Sequence, residues 1–198
     1  MKNIVLIILI AILAFNSVYF EKLSELADSE TSEFNFGAYA DSLYNQGILK
    51  NDEAVNLEVL LNELKTDKDL AFKNYGNRLG IGSSAFFMTK IEGEVIAKTE
   101  LGLKVRTPSK QVVEVDTKFI FGNAIRDASQ LVQLTDFKTN AEFNALSEAL
   151  NQIIREKEIP VQLEKINQGD HVSVTGALKL SKNQELPIQL LPVKIKRQ

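Results

Sequence analysis

Hydrophobic positions change their period several times along the chain. From Ile4 to Phe15 they run unbroken, apolar on every side rather than on one face. From Phe34 to Gly76 they recur at helical spacing. Phe34-Asn35-Phe36 opens a short helix with Asn35 as its N-cap, Tyr39, Leu43 and Tyr44 on one side, and Gly47 closing it. A second helix runs from Asn56 to Lys65, with Leu57, Leu60, Leu61 and Leu64 in one stripe. Asp67 caps a third, whose inward residues are Leu70, Ala71 and Tyr75 and whose end is Gly76.

From Ala85 the period becomes two. Phe87, Thr89, Ile91, Gly93, Val95 and Ala97 share one face, and a glycine inside so long a strand marks a bend. Glu100-Leu101-Gly102 is a turn, Leu103 to Thr107 a short strand, and Pro108-Ser109-Lys110 another turn. Gln111 to Phe121 alternates cleanly, with Val113, Val115, Thr117, Phe119 and Phe121 inward and Glu114, Asp116 and Lys118 outward. A helix with a capping box, Thr139 and Glu142, carries the stripe Phe143, Leu146, Leu150, Ile153 and Ile154, and Ile159-Pro160 ends it. Lys165 to Asp170 is a loop. Val172, Val174, Gly176, Leu178 and Leu180 then alternate as a strand, and Ile188 to Lys196 is the last one, where Pro192 implies an edge or a bulge. Three strands, a helix and two more strands, the first of them bent, predict an α+β chain built on an OB-like five-stranded β-barrel, with a helix between strands 3 and 4. The expected layout is a signal anchor or signal peptide over 1–20, a tether over 21–33, a helical segment over 34–80 that packs on the barrel, and the barrel domain over 81–198.

The N-terminal stretch has two readings. Asn3 to Phe20 is uncharged and would span roughly 27 Å as a helix, just enough for a bilayer core. Tyr19 and Phe20 suit the interface, and Lys2 keeps the N-terminus inside and the bulk of the chain outside. One positive charge before an apolar core also describes a signal peptide. Cleavage after Ser17 puts Phe15 at the −3 position, which is poor, whereas cleavage after Ala14 puts Ile12 there, which is tolerable; of the two readings an uncleaved single-pass anchor is favoured. The segment that follows, Glu21 to Glu33, is acidic and polar.

Composition narrows the function classes. Of 198 residues 44% are hydrophobic and 25% charged, ordinary values for a globular domain. A net charge of −3 and a pI near 5.4 give no basic field for a nucleic-acid partner. Without cysteine there are no disulfides, thiolate metal sites or cysteine nucleophiles. The one histidine, His171, falls on the outward face of its strand and cannot build a zinc site alone. Glu92 and Glu94 read as exposed strand carboxylates, and the glycine-containing loop Arg78 to Ser84 lacks the lysine and threonine of a phosphate loop. No catalytic set, metal or cofactor is expected.

The candidate chemistry lies between Gly122 and Asn140. Arg126 and Asp127 are a charged pair among apolar neighbours, and arginine is rarely buried without a partner. Adjacent residues of a strand face opposite ways, so each is expected to pair elsewhere, with Asn123, Asp136 and Asn140 as partners. The first reading is a brace for the loop between barrel and helix; the second is a ligand or partner site; catalysis comes last, since spacing reveals no base or nucleophile.

Several segments together resemble a bacterial family of unknown function described as predicted periplasmic lipoproteins. They are Ala124-Ile125-Arg126-Asp127-Ala128; Phe34-Asn35-Phe36 with Ala38 to Tyr44; Tyr75-Gly76; Gly82-Ser83; Glu92-Gly93-Glu94-Val95; Asp136-Phe137; Leu150-Asn151; and Val174-Thr175-Gly176-Ala177. They span about residues 34 to 180. The resemblance implies export and membrane attachment, no established activity, and association of some relatives with sugar-uptake transporters. The lipidated cysteine is missing here, which leaves the hydrophobic span as the anchor. The expected protein is thus a periplasmic binding or interaction module tied to the membrane, with an envelope partner or transporter component. The alternative is an envelope enzyme around Arg126 and Asp127. Intact-mass measurement of the chain recovered from cells separates anchor from signal peptide: a start at Met1 or Lys2 retains the anchor, and a start near Phe15 or Val18 removes it.

Overall fold

The computed structural model describes residues 34–51, 53–78, 83–182 and 188–198. The N-terminal stretch, the acidic segment after it and part of the Arg78 to Ser84 loop lie outside these. Among the described residues no helix is long and apolar enough to cross a membrane.

Asn35 opens the first described helix. Its side chain accepts from the Ala38 amide at 2.9 Å and caps α1 (Phe36–Ser42). The chain then widens into a π-helical turn, Leu43–Ile48, which buries Leu43, Tyr44 and Ile48. Gly47 lies inside this turn rather than closing a helix. A Cβ on it would stand 2.7 Å from Leu131 Cδ1, the far end of a flexible, exposed side chain. After β1 (Val55–Asn56), Asn56 caps α2 (Leu57–Thr66) and Asp67 caps α3 (Lys68–Tyr75). The inward face of α3 is Ala71 and Phe72, and the Phe72 ring meets Phe87 edge-on at 5.2 Å. Leu70, expected inside, is 48% exposed, because Ala71, Phe72 and Tyr75 already fill the one face this two-turn helix turns to the sheet.

The sheet follows the period-two pattern. β2 (Ser84–Thr99) buries Phe87, Thr89, Ile91 and Val95 on one face. β3 (Gly102–Arg106) and β4 (Val112–Asp116) continue antiparallel from it. β5 (His171–Ser181) pairs antiparallel with the first part of β2, from Ser84 to Glu94. β6 (Ile188–Arg197) pairs antiparallel with β5 and parallel with β4. The order is β1-β2-β3-β4-β6-β5, and β5 returns to β2, so the pairings of the last five strands close on themselves. β1 adds a short parallel edge to β2.

β2 serves two neighbours because it bends. Its register slips between Val95 and Ala97. Just before the slip, a Cβ on Gly93 would lie 2.2 Å from the Arg106 carbonyl oxygen, so only glycine lets β3 come this near. The bulge expected at Pro192 is present, with the β5–β6 register shifting where Gly176 meets Pro192. The buried Tyr44 hydroxyl donates to the Val193 carbonyl at that bulge, 2.8 Å away.

The strand expected to run to Phe121 stops at Asp116. The Asp116 carboxylate accepts from the Lys118 and Phe119 amides at 2.9 and 2.8 Å and from the Gln189 side chain at 2.8 Å. This local alternative to the ladder turns the chain. Ile120, not Phe119 or Phe121, then enters the core, leaving those two rings 52% and 57% exposed, and Asp116 is buried rather than outward.

Between β4 and β5 the chain is helical, as expected. α4 (Ala124–Ser129) packs on β2 and β5; α5 (Asn140–Gln152) packs on α1 and carries the Thr139–Glu142 capping box. Phe143, Leu146, Leu150, Ile153 and Ile154 are all buried. Pro160 does not stop the helix. A π-helical turn, Ile153–Glu158, leads into α6 (Ile159–Leu163), and Pro160 falls in its first turn, where a missing N–H costs nothing.

Gly93→Ala should destabilise the fold by about 1–3 kcal/mol, since the added methyl has backbone and no flexible side chain to displace. Chemical denaturation checks this, and a variant as stable as the parent would contradict the close β2–β3 approach.

Candidate functional site

Arg126 and Asp127 lie on α4, not on a strand. In a helix the two side chains can turn toward each other, and here they do. Arg126 Nε donates to Asp127 Oδ1 at 2.7 Å, and Nη2 lies 2.7 Å from the same oxygen. The pair is shut away from water, at 3% and 2% exposure. The remaining guanidinium donor, Nη1, reaches two groups on α5: the Phe143 carbonyl at 2.9 Å and Ser147 Oγ at 2.8 Å. The guanidinium carbon lies over the Phe143 ring, 3.4 Å from its centre.

A second ring of contacts surrounds the pair. The Asn123 amide donates to Asp127 Oδ2. The Asn77 side chain, in the segment before β2, donates to the Asp127 backbone carbonyl at 2.7 Å. Ser129 donates to the Arg126 carbonyl at 2.6 Å, and Asn151 donates to the Gly122 carbonyl at 2.7 Å. Burial is the larger influence on the Asp127 carboxyl and pushes it above the usual range, while the guanidinium and the Asn123 amide pull it partway back.

Of the five candidate residues, Asn123, Arg126 and Asp127 converge. Asp136 and Asn140 do not. The Asp136 carboxylate accepts from the Gln133 amide at 2.7 Å and caps its own turn, Leu134–Asp136, while Asn140 is the exposed first residue of α5. Asp127, the next residue of the same helix, takes the place beside Arg126 that Asp136 was expected to fill. Phe143 and Ser147, which sequence reasoning left out, stand four apart on one face of α5, and that spacing was the available signal. Asn77 comes from 50 positions upstream and carries no local signal.

The bridge is sealed, but a groove of about 390 Å³ opens beside it. Phe121, Asn123, Asn144, Glu148, Asn151 and Arg155 line it. Arg155 covers the exposed Phe121 ring, 4.5 Å from its centre, donates to the Ile120 carbonyl at 3.0 Å and pairs with Glu156 at 2.9 Å. Elsewhere, His171 is exposed on β5, Glu92 pairs with Lys90 at 2.9 Å, and Glu94 stands 3.8 Å from Arg106. Among the described residues no group of His, Cys, Asp and Glu is arranged to hold a metal ion.

The strand order and the helical insertion after the third long strand define a protein of the OB-fold class. A crystal structure of an OB-fold protein from Thermotoga maritima matches it with a TM-score of 0.72 at 24% identity, over 83% of this chain and 99% of that one; the likeness is one of fold. No curated protein matches the chain. The chain belongs to the family described as predicted periplasmic lipoprotein (DUF2291), which matches residues 8–196. That membership sets the protein outside the cytoplasm, and the match extends past both ends of the segments that carry the resemblance in sequence.

Removing one partner of the bridge leaves a buried charge unmet, so Asp127→Ala should cost about 3–5 kcal/mol. The paired replacement Arg126→Met with Asp127→Leu should cost much less than the sum of the two single changes. Equilibrium unfolding of the three variants checks this; additive losses would mean that the two side chains do not act as a unit.

Proposed function

We propose that the protein is an extracytoplasmic binding module, held at the membrane by its N-terminal segment and accessory to a solute-uptake system for sugars. Its OB-class domain, read as a five-stranded barrel, presents the groove beside Phe121 to a transporter component. One contrast carries this reading. The charged pair is saturated and closed off, whereas the groove next to it sets an exposed ring, the exposed Asn144 amide and the exposed Glu148 carboxylate beside the half-buried Arg155 guanidinium. Aromatic and arginine side chains at a rimmed concavity are the residue types that dominate binding energy at interfaces. The unbroken apolar stretch from Ile4 to Phe15 supports the anchor, and the acidic balance favours a protein partner over nucleic acid.

An enzyme centred on Arg126 and Asp127 is the competing reading. Against it, both side chains face other protein groups, and neither polar end is aimed into the groove. A catalytic group has to reach its substrate.

Isolation of the full chain from detergent-solubilised membranes should recover a defined transport-system subunit. Phe121→Ala combined with Glu148→Lys should cut that recovery roughly tenfold, as loss of an interface anchor does, and leave the melting temperature close to that of the parent. Unchanged recovery with the double variant would remove the groove from the proposal. Recovery of no partner, together with turnover of a small molecule, would favour the enzyme.

A further inference from the structure

The four leucines of α2 share one stripe, yet only Leu57 and Leu60 are fully buried. Leu61 and Leu64 are half-covered. They form one wall of an open groove of about 730 Å³, a size suited to a small ligand. Phe72 from α3, Leu180 near the end of β5 and Ile188 at the start of β6 complete its apolar floor. The stripe runs on past the part of the sheet that covers it.

The mouth of this groove is cationic in a protein whose net charge is −3. Lys65 ends α2, Lys68 begins α3 and Lys182 follows β5, and all three line the groove. Lys182 forms an ion pair with Asp69 and lies 5.8 Å from the centre of the Phe72 ring. The Lys68 ammonium donates to the Lys182 carbonyl at 3.0 Å, a neutral acceptor. Among the described residues neither Lys65 nor Lys68 has a carboxylate partner. The nearby Asp67 uses its Oδ1 to cap α3 through the Leu70 amide. Three ammonium groups therefore line the rim of an apolar trough, and among the described residues Asp69 is the one carboxylate in an ion pair with any of them, while Asp67 stands between Lys65 and Lys68 in sequence.

We infer that this groove binds a single-chain amphiphile with a carboxylate head, a free fatty acid, with its chain on the leucine and phenylalanine floor and its head between Lys65 and Lys68. Each half of the ligand matches a half of the site. The chain covers side chains that are otherwise left partly in water, and the head places a negative charge between two lysines that have no ion-pair partner among the described residues. An uncharged amphiphile of the same length gains only the first, and a short carboxylate only the second. The site is separate from the groove beside Phe121 and does not rest on the function proposed there.

Photo-labelling tests it on the full chain in phosphatidylcholine nanodiscs. The probe is dodecanoate bearing a diazirine in its chain, and peptide mass mapping locates the label. Labelling should fall on α2, α3 or the end of β5, and free dodecanoate should compete for it at least roughly tenfold better than dodecanol, a difference expected of a charge-assisted contact. Lys65→Glu with Lys68→Glu reverses charge at exposed positions and should weaken labelling by a similar factor without lowering the melting temperature. Leu64→Glu should abolish it, and a normal melting temperature shows that the fold is intact. Label spread over the surface, equal competition by dodecanol, or full labelling of the double lysine variant would each overturn the proposal. Displacement by phosphatidylglycerol in the disc but not by free dodecanoate would overturn the assignment to a free carboxylate.

Discussion

A guanidinium cannot shed its charge to enter a protein interior, so burying Arg126 obliges the structure to meet each of its donors. That constraint organises the helical layer. One edge of the group is met from within α4 by Asp127, and the other reaches across to the Phe143 carbonyl and the Ser147 hydroxyl on α5, with the Phe143 ring beneath. Neither helix can shift without exposing an unpaired charge to an apolar interior, which costs several kcal/mol. Because α4 rests on β2 and β5 and α5 on α1, the pair ties the first described helix to the sheet through two intermediaries. Asn77 extends the tie to the segment that leads into β2.

The sheet imposes its own demand, which is closure. Five strands can close only if the longest one bends and its neighbours come close at the corners. Gly93 admits the Arg106 carbonyl, and Gly176 does the same for Leu191 on β6, where a Cβ would lie 2.4 Å from the carbonyl oxygen. The bulge there leaves the Val193 carbonyl to the Tyr44 hydroxyl, so the irregularity that closes the sheet also docks the first helical segment. Burial pushes that hydroxyl's pKa upward, which keeps it a donor at any ordinary pH. Closure and helix docking thus share residues, and the core runs without a break from Tyr44 through Ile91 to Leu150.

How much of this could be read in advance depended on whether the governing interaction was periodic or local. Strand order, the bent β2, the bulge near Pro192 and the Thr139–Glu142 box all follow from alternation, glycine, proline and capping, which act over a few residues. The caps at Asn35 and Asp67 were equally visible for that reason. What misled was a pattern that one side chain overrode. Alternation carries on through Phe121, but the Asp116 carboxylate takes two backbone amides and ends the strand. The same limit applied to the charged pair. Treating Arg126 and Asp127 as strand residues sent them to Asn123, Asp136 and Asn140, of which Asn123 alone is a partner, whereas a six-residue helix, too short to show a period, turned them to each other. The part played by Asn77 was beyond reach, because only the closed fold brings it there.

Those two departures also say where function can reside. The most conspicuous chemistry in the sequence, the buried ion pair, is spent on holding α4 to α5, and saturated groups have nothing left to offer a ligand. The available surface arises instead where an apolar pattern outruns what the sheet can cover. After Asp116 turns the chain, Phe121 is left beside a polar groove; beyond Leu60 the α2 stripe leaves Leu61 and Leu64 beside a cationic one. A single exposed ring or leucine is ordinary. An apolar floor rimmed by groups of defined charge is not, because it fits a ligand of complementary shape and sign better than it fits water. The two grooves differ in rim and floor, so they suit different ligands: mixed polar groups around one ring, and lysines around an aliphatic trough. A small closed sheet braced by a buried ion pair thus leaves two separate grooves at its surface without either one disturbing the core.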